Sequence, residues 1–344
     1  MENSIQESSH ESEYFEEYSI EVATGQSLIR IDKYLGDCIA GISRTKVQSG
    51  LKIGNITVNG EQVKANYRVH PGDKIKVIFP KEAETSDLVA ENIPLDIVYE
   101  DESIIVLNKP AGMVVHPGQG NTHGTLVNAL LYHVQNLADS PSGENRPGIV
   151  HRIDKLTTGL MIVGKTEQAL SHLSLQFYNR EIDRKYIALV WGDPGEEGRI
   201  TGHIGRSLKN RKVMSVFPDG EFGKEAATNF KKISDLGYVS LVECKLETGR
   251  THQIRVHFRN LGHPLFGDLE YEGTRIWKGT VFTKYRQFVK NCFEILPRQA
   301  LHAKSLGFVH PTTGEKMFFE SELPKDMTDV IAKWENYIEQ RSLE

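Results

Sequence analysis

Residues 151–159 read His-Arg-Ile-Asp-Lys-Leu-Thr-Thr-Gly, and the apolar run Leu160-Met161-Ile162-Val163 follows directly. The apolar run predicts a strand buried on both faces. The polar half sets one carboxylate, Asp154, between Arg152 and Lys155, two cations that favour its charged form. Polar groups on a loop held by a rigid buried strand are a common way to position catalytic side chains. The plain alternative is that Asp154 caps a turn, as Asp often does. A second constellation lies at 246–258, Leu-Glu-Thr-Gly-Arg-Thr-His-Gln-Ile-Arg-Val-His-Phe. Alternation there predicts a strand with Ile254, Val256 and Phe258 on one face and Gln253, Arg255 and His257 on the other. Arg255 then has no apolar cover and is expected to face a polar cleft.

Other chemistries are excluded by what these stretches lack. His252, His257, His263 and the distant His302 raise a metal site, but the expected strand sends His252 and His257 to opposite faces. No Cys or carboxylate completes a ligand set. Gly118, Gly120 and Gly124 do not follow the dinucleotide spacing, which argues against a nucleotide cofactor. No Gly-x-Ser-x-Gly elbow marks a serine hydrolase.

The elements that must position these residues can be read from spacing. Gly124 opens a helix whose core face is Leu126, Leu130, Leu131 and Val134. Thr166 caps another, with Leu170, Leu173 and Phe177 on its buried side. Residues 184–192 predict a strand with Arg184, Tyr186, Ala188 and Val190 on one face and Ile187, Leu189 and Trp191 on the other. A Tyr there is ordinarily core packing. Arg275, Lys278, Lys284, Arg286, Lys290 and Arg298 give 272–298 a positive surface. Met327, Val330, Ile331, Trp334 and Ile338 predict a closing amphipathic helix over 326–344.

At 344 residues two domains are expected. No apolar run is long enough for a membrane span, and the acidic start is unlike a signal peptide. Three scattered cysteines, Cys38, Cys244 and Cys292, fit a reducing compartment, so the cytoplasm is the expected location. The net charge of −5 is segregated. Residues 1–21 hold seven Glu and no Lys or Arg, whereas 28–78 hold nine Lys/Arg against four Asp/Glu. Residues 1–18 are therefore expected as a disordered acidic tail, 19–80 as a compact basic module and 81–92 as a linker. Within the module, Leu28, Ile31, Leu35 and Ile39 predict one helix, and Ser43 caps a second carrying Arg44, Lys46 and Lys52. Asn59-Gly60 marks a turn, and Lys74–Ile78 alternates as a strand.

From Arg30-Ile-Asp-Lys-Tyr-Leu through Ser43-Arg44 and Val58-Asn59-Gly60 to Pro71-Gly72-Asp73, the module resembles the small alpha-L RNA-binding domain of a ribosomal small-subunit protein. The rest resembles the bacterial large-subunit ribosomal RNA pseudouridine synthases. Four motifs in order carry that resemblance: Lys109-Pro-Ala-Gly-Met-Val-Val-His-Pro, His151-Arg-Ile-Asp-Lys-Leu-Thr-Thr-Gly, Lys185-Tyr-Ile-Ala-Leu-Val-Trp-Gly and Thr248-Gly-Arg-Thr-His-Gln-Ile-Arg-Val-His. Ile153, Leu156 and Thr158 depart mildly from it, and none of the three removes a charged or nucleophilic group.

The resemblance implies an α+β chain. The alpha-L domain precedes a catalytic domain over 93–325, built on a mixed, mainly antiparallel sheet with flanking helices. It implies Asp154 as nucleophile, Arg255 as its ionic partner, and Tyr186 stacking on the uracil. Arg152, His151, Thr157, Arg250 and Gln253 are implied around the substrate. Arg30, Arg44, Lys46 and Lys52 are implied to contact RNA backbone, as is the 272–298 surface. The reaction is an isomerisation, so neither cofactor nor metal is expected. The expected partner is large-subunit ribosomal RNA, the expected state a monomer. The rivals are the same chemistry on transfer RNA and a non-catalytic RNA-binding ribosome-assembly factor.

Overall fold

The computed structural model describes residues 4–7, 15–39, 42–80, 88–118, 121–134, 148–211 and 213–342. Its first unit follows from one amphipathic helix and one capped helix. Strands β1 (Ser4–Glu7) and β2 (Phe15–Glu21) precede helices α1 (Ile31–Cys38) and α2 (Arg44–Ile53). The Ser43 side chain accepts from the Lys46 N–H, capping α2 as its sequence predicts. Strands β3 (Ile56–Val58), β4 (Glu61–Gln62) and β5 (Lys74–Pro80) complete a sheet of order β1-β2-β5-β3-β4. Ile31, Leu35, Val47, Leu51 and Ile56 pack against Ile20, Ile75 and Val77 to form its core.

Two expectations for flanking segments are corrected. Part of the acidic tail is strand: β1 pairs with β2, and β2 runs antiparallel to β5 along its length. Acidity hid the strand, because Glu17 is buried and its charge is met by Lys76 at 3.1 Å. Of the expected linker, 81–87 lies outside the described residues. Residues 88–92 lie on the unit that follows: Leu88 packs on its core, and Glu91 N–H donates to Asn128 O at 2.9 Å.

The second unit comprises β6 (Ile97–Glu100), β7 (Ile104–Lys109), α3 (Leu126–His133), β8 (Thr158–Gly164), α4 (Glu167–Tyr178), β9 (Asp183–Trp191), β10 (Glu197–Arg206), β11 (Met214–Phe217), β12 (Lys224–Asp235), β13 (Val239–Leu246), α5 (Gln253–Leu261), α6 (Thr283–Ile295), β14 (Leu301–Val309), β15 (Lys316–Glu320) and α7 (Lys325–Ser342). Ten strands form one sheet of order β11-β10-β12-β13-β9-β14-β8-β7-β6, with β15 on β14. Among the described residues, only the β8–β14 pairing is parallel. The architecture is therefore the α+β one expected, with a mixed, mainly antiparallel sheet.

Period-two spacing decides what each face of β9 buries. Tyr186, Ala188 and Val190 join Ile254 and Phe258 on the cleft side. Ile187, Leu189 and Trp191 join Val289, Val330 and Trp334 on the other. Trp191 and Trp334 are fully buried, each worth roughly 2–3 kcal/mol of apolar burial. Strand β8 is buried throughout, as its apolar run requires. Gly159 (φ 117°) lets it meet β14, since a β-carbon there would collide with the Ala303 backbone.

The predicted strand over 253–258 is a helix, α5. Ile254 and Phe258 share a face at a separation of four under either period, so the short window could not separate the two readings. Val256 decides it, because it turns away from Ile254 to pack with Tyr271 and Ile204. Gln253 and His257, also four apart, both reach the Thr228 hydroxyl, at 2.9 and 3.0 Å. No described helix is long and apolar enough to cross a membrane.

Candidate active site

The loop from His151 to Thr157 enters β8 and is fastened from several directions. Thr157 N–H donates to Asp154 O at 3.0 Å, closing a turn around the carboxylate. Lys109, at the end of β7, is fully buried and donates from Nζ to Pro110 O (2.8 Å), Met113 O (2.9 Å) and Lys155 O (3.2 Å). Burial pushes the Lys109 ammonium down to about 7, and the Asp154 charge opposes that shift. Arg298 donates to Leu156 O at 3.1 Å while gripping Asp326 at 2.6 and 2.8 Å. Three consecutive residues, Lys155, Leu156 and Thr157, are thus anchored, and Asp154 projects from a rigid turn.

Helix α5 supplies the partner. His252 begins it in the left-handed conformation (φ 55°, ψ 22°) with no capping side chain. Arg255, one turn in, donates from Nη1 to Asp154 Oδ2 at 3.0 Å. Its other nitrogens bind Asp268 at 2.7 and 2.9 Å and Glu270 at 2.5 Å, and its plane lies 4.9 Å over the Tyr271 ring. Arg255 is 4% exposed, and burial is overcome by these carboxylates, which raise its pKa well above the ordinary value. His252 Nε2 lies 3.9 Å from Asp154 Oδ1, and its Nδ1 meets Tyr271 OH at 2.9 Å. Burial holds His252 below the usual imidazole range against the pull of Asp154.

Asp154, Arg255 and Tyr186 line one cleft of about 660 Å³, together with Arg152, Arg180, Arg184, His203, Lys224 and Arg250. That is room for a nucleotide-sized group. Tyr186 is buried, and its hydroxyl is pushed up by burial and by Asp154, against the Arg184 cation. Its charged lining is mainly positive, with Asp154, Glu225 and Glu247 as the acids.

Three of the implied substrate contacts make hydrogen bonds within the protein. Gln253 is satisfied inside the protein: its amide donates to Ala227 O and Thr228 Oγ1, and its oxygen accepts from Thr248 Oγ1 and Arg250 N–H. Thr157 is 1% exposed and accepts from Gln299 Nε2 at 3.2 Å. His151 is stacked 4.7 Å from the Phe177 ring, and its Nε2 accepts the Ile162 N–H at 3.0 Å. All three also line the cleft, where Gln253 and Thr157 have internal partners and His151 keeps a buried Nδ1 without one. Arg152 and Arg250 line it too.

In the basic module, exposed Arg30 is bound through two nitrogens to Asp32 at 3.0 and 2.8 Å. Arg44 and Lys52 are exposed on α2, and half-buried Lys46 lies 5.4 Å over the Phe79 ring. Arg298 is buried and leaves the proposed 272–298 surface.

Sequence reasoning missed Lys109, Asp268, Glu270 and Arg298 as positioning residues. Lys109 and Arg298 could have been flagged as charges beside apolar strand sequence, whereas nothing local tied Asp268 to Arg255.

Residues 103–260 match the RNA pseudouridylate synthase family, and residues 29–75 match the S4 domain. The chain is 47% identical over 318 residues to an uncharacterized RNA pseudouridine synthase of Chlorobaculum parvum, covering 92% of this chain and 97% of that one. This chain belongs to the RNA pseudouridine synthase family. It is an isomerase acting on RNA. Ribosomal large subunit pseudouridine synthase D of Zymomonas mobilis is 41% identical over 307 residues, covering 87% of this chain and 91% of that one. A solved structure, human RNA pseudouridylate synthase domain containing 4, shares the fold at TM-score 0.52 and 24% identity, over 69% of this chain and 92% of that one. Among the described residues no cluster of His, Cys, Asp and Glu could hold a metal ion.

Proposed function

We propose that this synthase isomerises uridines of large-subunit ribosomal RNA in the cytoplasm, with Asp154 as the nucleophile. The observation that carries the reading is Asp154 fixed 3.0 Å from a buried Arg255, inside a positive cleft shared with Tyr186. The target uridine must leave its stack to reach such a cleft, and Arg152, beside the nucleophile, is placed to hold it there. Asp154 adds to C1′ or to C6, the N1–C1′ bond breaks, and the uracil turns. C5 then bonds to C1′, the bond to Asp154 breaks and frees the carboxylate, the C5 proton departs, and N1 takes up a proton. Reactant and product have the same composition, so the reaction needs no external oxidant, reductant or group donor.

Arg255 keeps Asp154 ionised and aimed. Tyr186 forms the cleft floor on which the uracil ring stacks, and its neutral hydroxyl can relay the C5 proton as it passes its own on. The S4 domain and the exposed Arg44 and Lys52 of α2 support a structured RNA as substrate. The large-subunit choice rests on the named relatives.

The test is to incubate the protein with unmodified large-subunit ribosomal RNA and with bulk transfer RNA, and to map pseudouridine in each. Pseudouridine at discrete uridines of the large-subunit RNA is expected. Modification confined to transfer RNA would overturn the substrate assignment, and none in either would overturn the enzymatic one.

A further inference from the structure

One wall of the cleft holds charges that neither the isomerisation nor the fold accounts for. Helix α4 ends at Tyr178, and the turn after it closes through Arg180 N–H to Phe177 O (3.2 Å) and Glu181 N–H to Gln176 O (2.9 Å). This turn puts Arg180 in the left-handed conformation (φ 62°). Glycine usually stands there, because a β-carbon is disfavoured at that backbone angle. Here an arginine takes the strained position and extends along the cleft.

Two residues before Tyr186, on the same face of β9, Arg184 lies 5.0 Å over the Phe177 ring. Its Nε is buried without a hydrogen-bond acceptor, and its terminal nitrogens lie toward Gly249. Arg250 spends its Nε on Glu225 O at 3.0 Å. Burial and the neighbouring Arg180 charge lower its pKa, while Glu225 pulls the other way.

Among the described residues, Arg180, Arg184 and Arg250 form no ion pair with a carboxylate. Of the nearby acids, Glu225 lines the cleft without an ion pair to any of the three, and the others are engaged. Glu247 is gripped by Arg199 at 2.7 and 2.8 Å and by Asn229 at 2.8 Å, and Glu181 accepts from Asn179 at 3.3 Å. Three guanidinium groups of like charge therefore line one wall, Arg180 at the cost of backbone strain and Arg250 at the cost of desolvation. Such an arrangement is stable against its own repulsion when an anion completes it, and guanidinium forks suit phosphate oxygens.

We infer that Arg180, Arg184 and Arg250 form a phosphate-binding wall that takes the RNA backbone flanking the target uridine. The inference rests on the reading of the cleft as an RNA site and adds to it the residues that grip the strand. Asp154, Arg255 and Tyr186 meet the nucleoside, and the arginine wall meets its phosphodiesters. Arg184 lies between the two, because it also faces the Tyr186 hydroxyl.

The test compares full-length wild type with Arg180→Gly, Arg184→Gln and the double variant. Binding of a large-subunit ribosomal RNA fragment is measured across a range of KCl concentrations, beside thermal melting and pseudouridine formation. Arg180→Gly is expected to melt at the same or a higher temperature, since glycine relieves the backbone angle, yet to bind roughly ten-fold more weakly. Each single variant should lower the salt slope of log affinity by about 1, and the double by about 2.

Wild-type affinity and slope in both single variants would overturn the inference. So would an Arg180→Gly protein that melts lower and binds worse in proportion, because that marks a structural residue. Wild type that forms no pseudouridine in any RNA would instead refute the proposed reaction, and the altered salt slopes would still support the phosphate wall.

Discussion

Arg255 holds Asp154 at 3.0 Å with one nitrogen while Asp268 takes two others at 2.7 and 2.9 Å. The guanidinium is therefore not free to follow its partner. Asp268, fully buried, and Glu270 set its plane, and that plane sets where Asp154 can point. A nucleophile must be both ionised and aimed, and one fork clamped from behind supplies both.

Replacing Arg255 with Leu should lower turnover by on the order of 10²-fold or more, because Asp154, Asp268 and Glu270 would then face one another without a cation. Melting will also fall, so Arg255→Lys is the informative companion. It keeps the charge but not the fork, and an intermediate rate with near-normal folding is expected. Equal rates in wild type and Arg255→Leu, measured in single turnover, would contradict the pairing.

Lys109→Met should destabilise the protein by about 2–4 kcal/mol, because it leaves the carbonyls of Pro110, Met113 and Lys155 without their shared donor. The loss should be larger in kcat than the melting shift explains, since Lys155 adjoins Asp154. Urea unfolding and single-turnover rates on the same samples check both parts. A stability change under 1 kcal/mol would show that water replaces the ammonium at no cost.

Stability should fall between pH 6.5 and 5. Burial holds His151 down to about 3 and His257 and His302 to about 4, with Arg184 and Arg298 adding to the shifts of His151 and His302. In the folded state these rings stay neutral, whereas in the unfolded chain they take up protons near pH 6.5. Below that pH the unfolded state binds more protons, so stability is full above it and is lost as pH falls toward the folded values. Each histidine contributes a slope of up to roughly 1.4 kcal/mol per pH unit. Urea midpoints at pH 7, 6 and 5 test this in a window above the carboxylate range. A flat series would contradict it.

The fold and the reactive pair were legible to different depths. Strand β8 and both faces of β9 could be read because burial on such strands writes a simple pattern. Asp154 stood out because two cations flank it in a polar stretch ahead of an apolar one. The helical nature of α5 was hidden by a six-residue window in which two periods coincide. The hydrogen bonds of Gln253 to Ala227 and Thr228, and of Thr157 to Gln299, could not be read either, since those partners lie on other elements. The grip of Asp268 on Arg255 spans thirteen residues and a turn, a relation that only the folded chain displays.

The most direct measurement is tritium release from large-subunit ribosomal RNA labelled at C5 of uridine, for wild type and Asp154→Asn, with RNA binding measured in parallel. The amide keeps the shape of the carboxylate but is a poor nucleophile. Release by wild type, none by Asp154→Asn and near-equal binding by both is the expected result. Release by Asp154→Asn at a rate near that of wild type would contradict the assignment of Asp154 as the nucleophile.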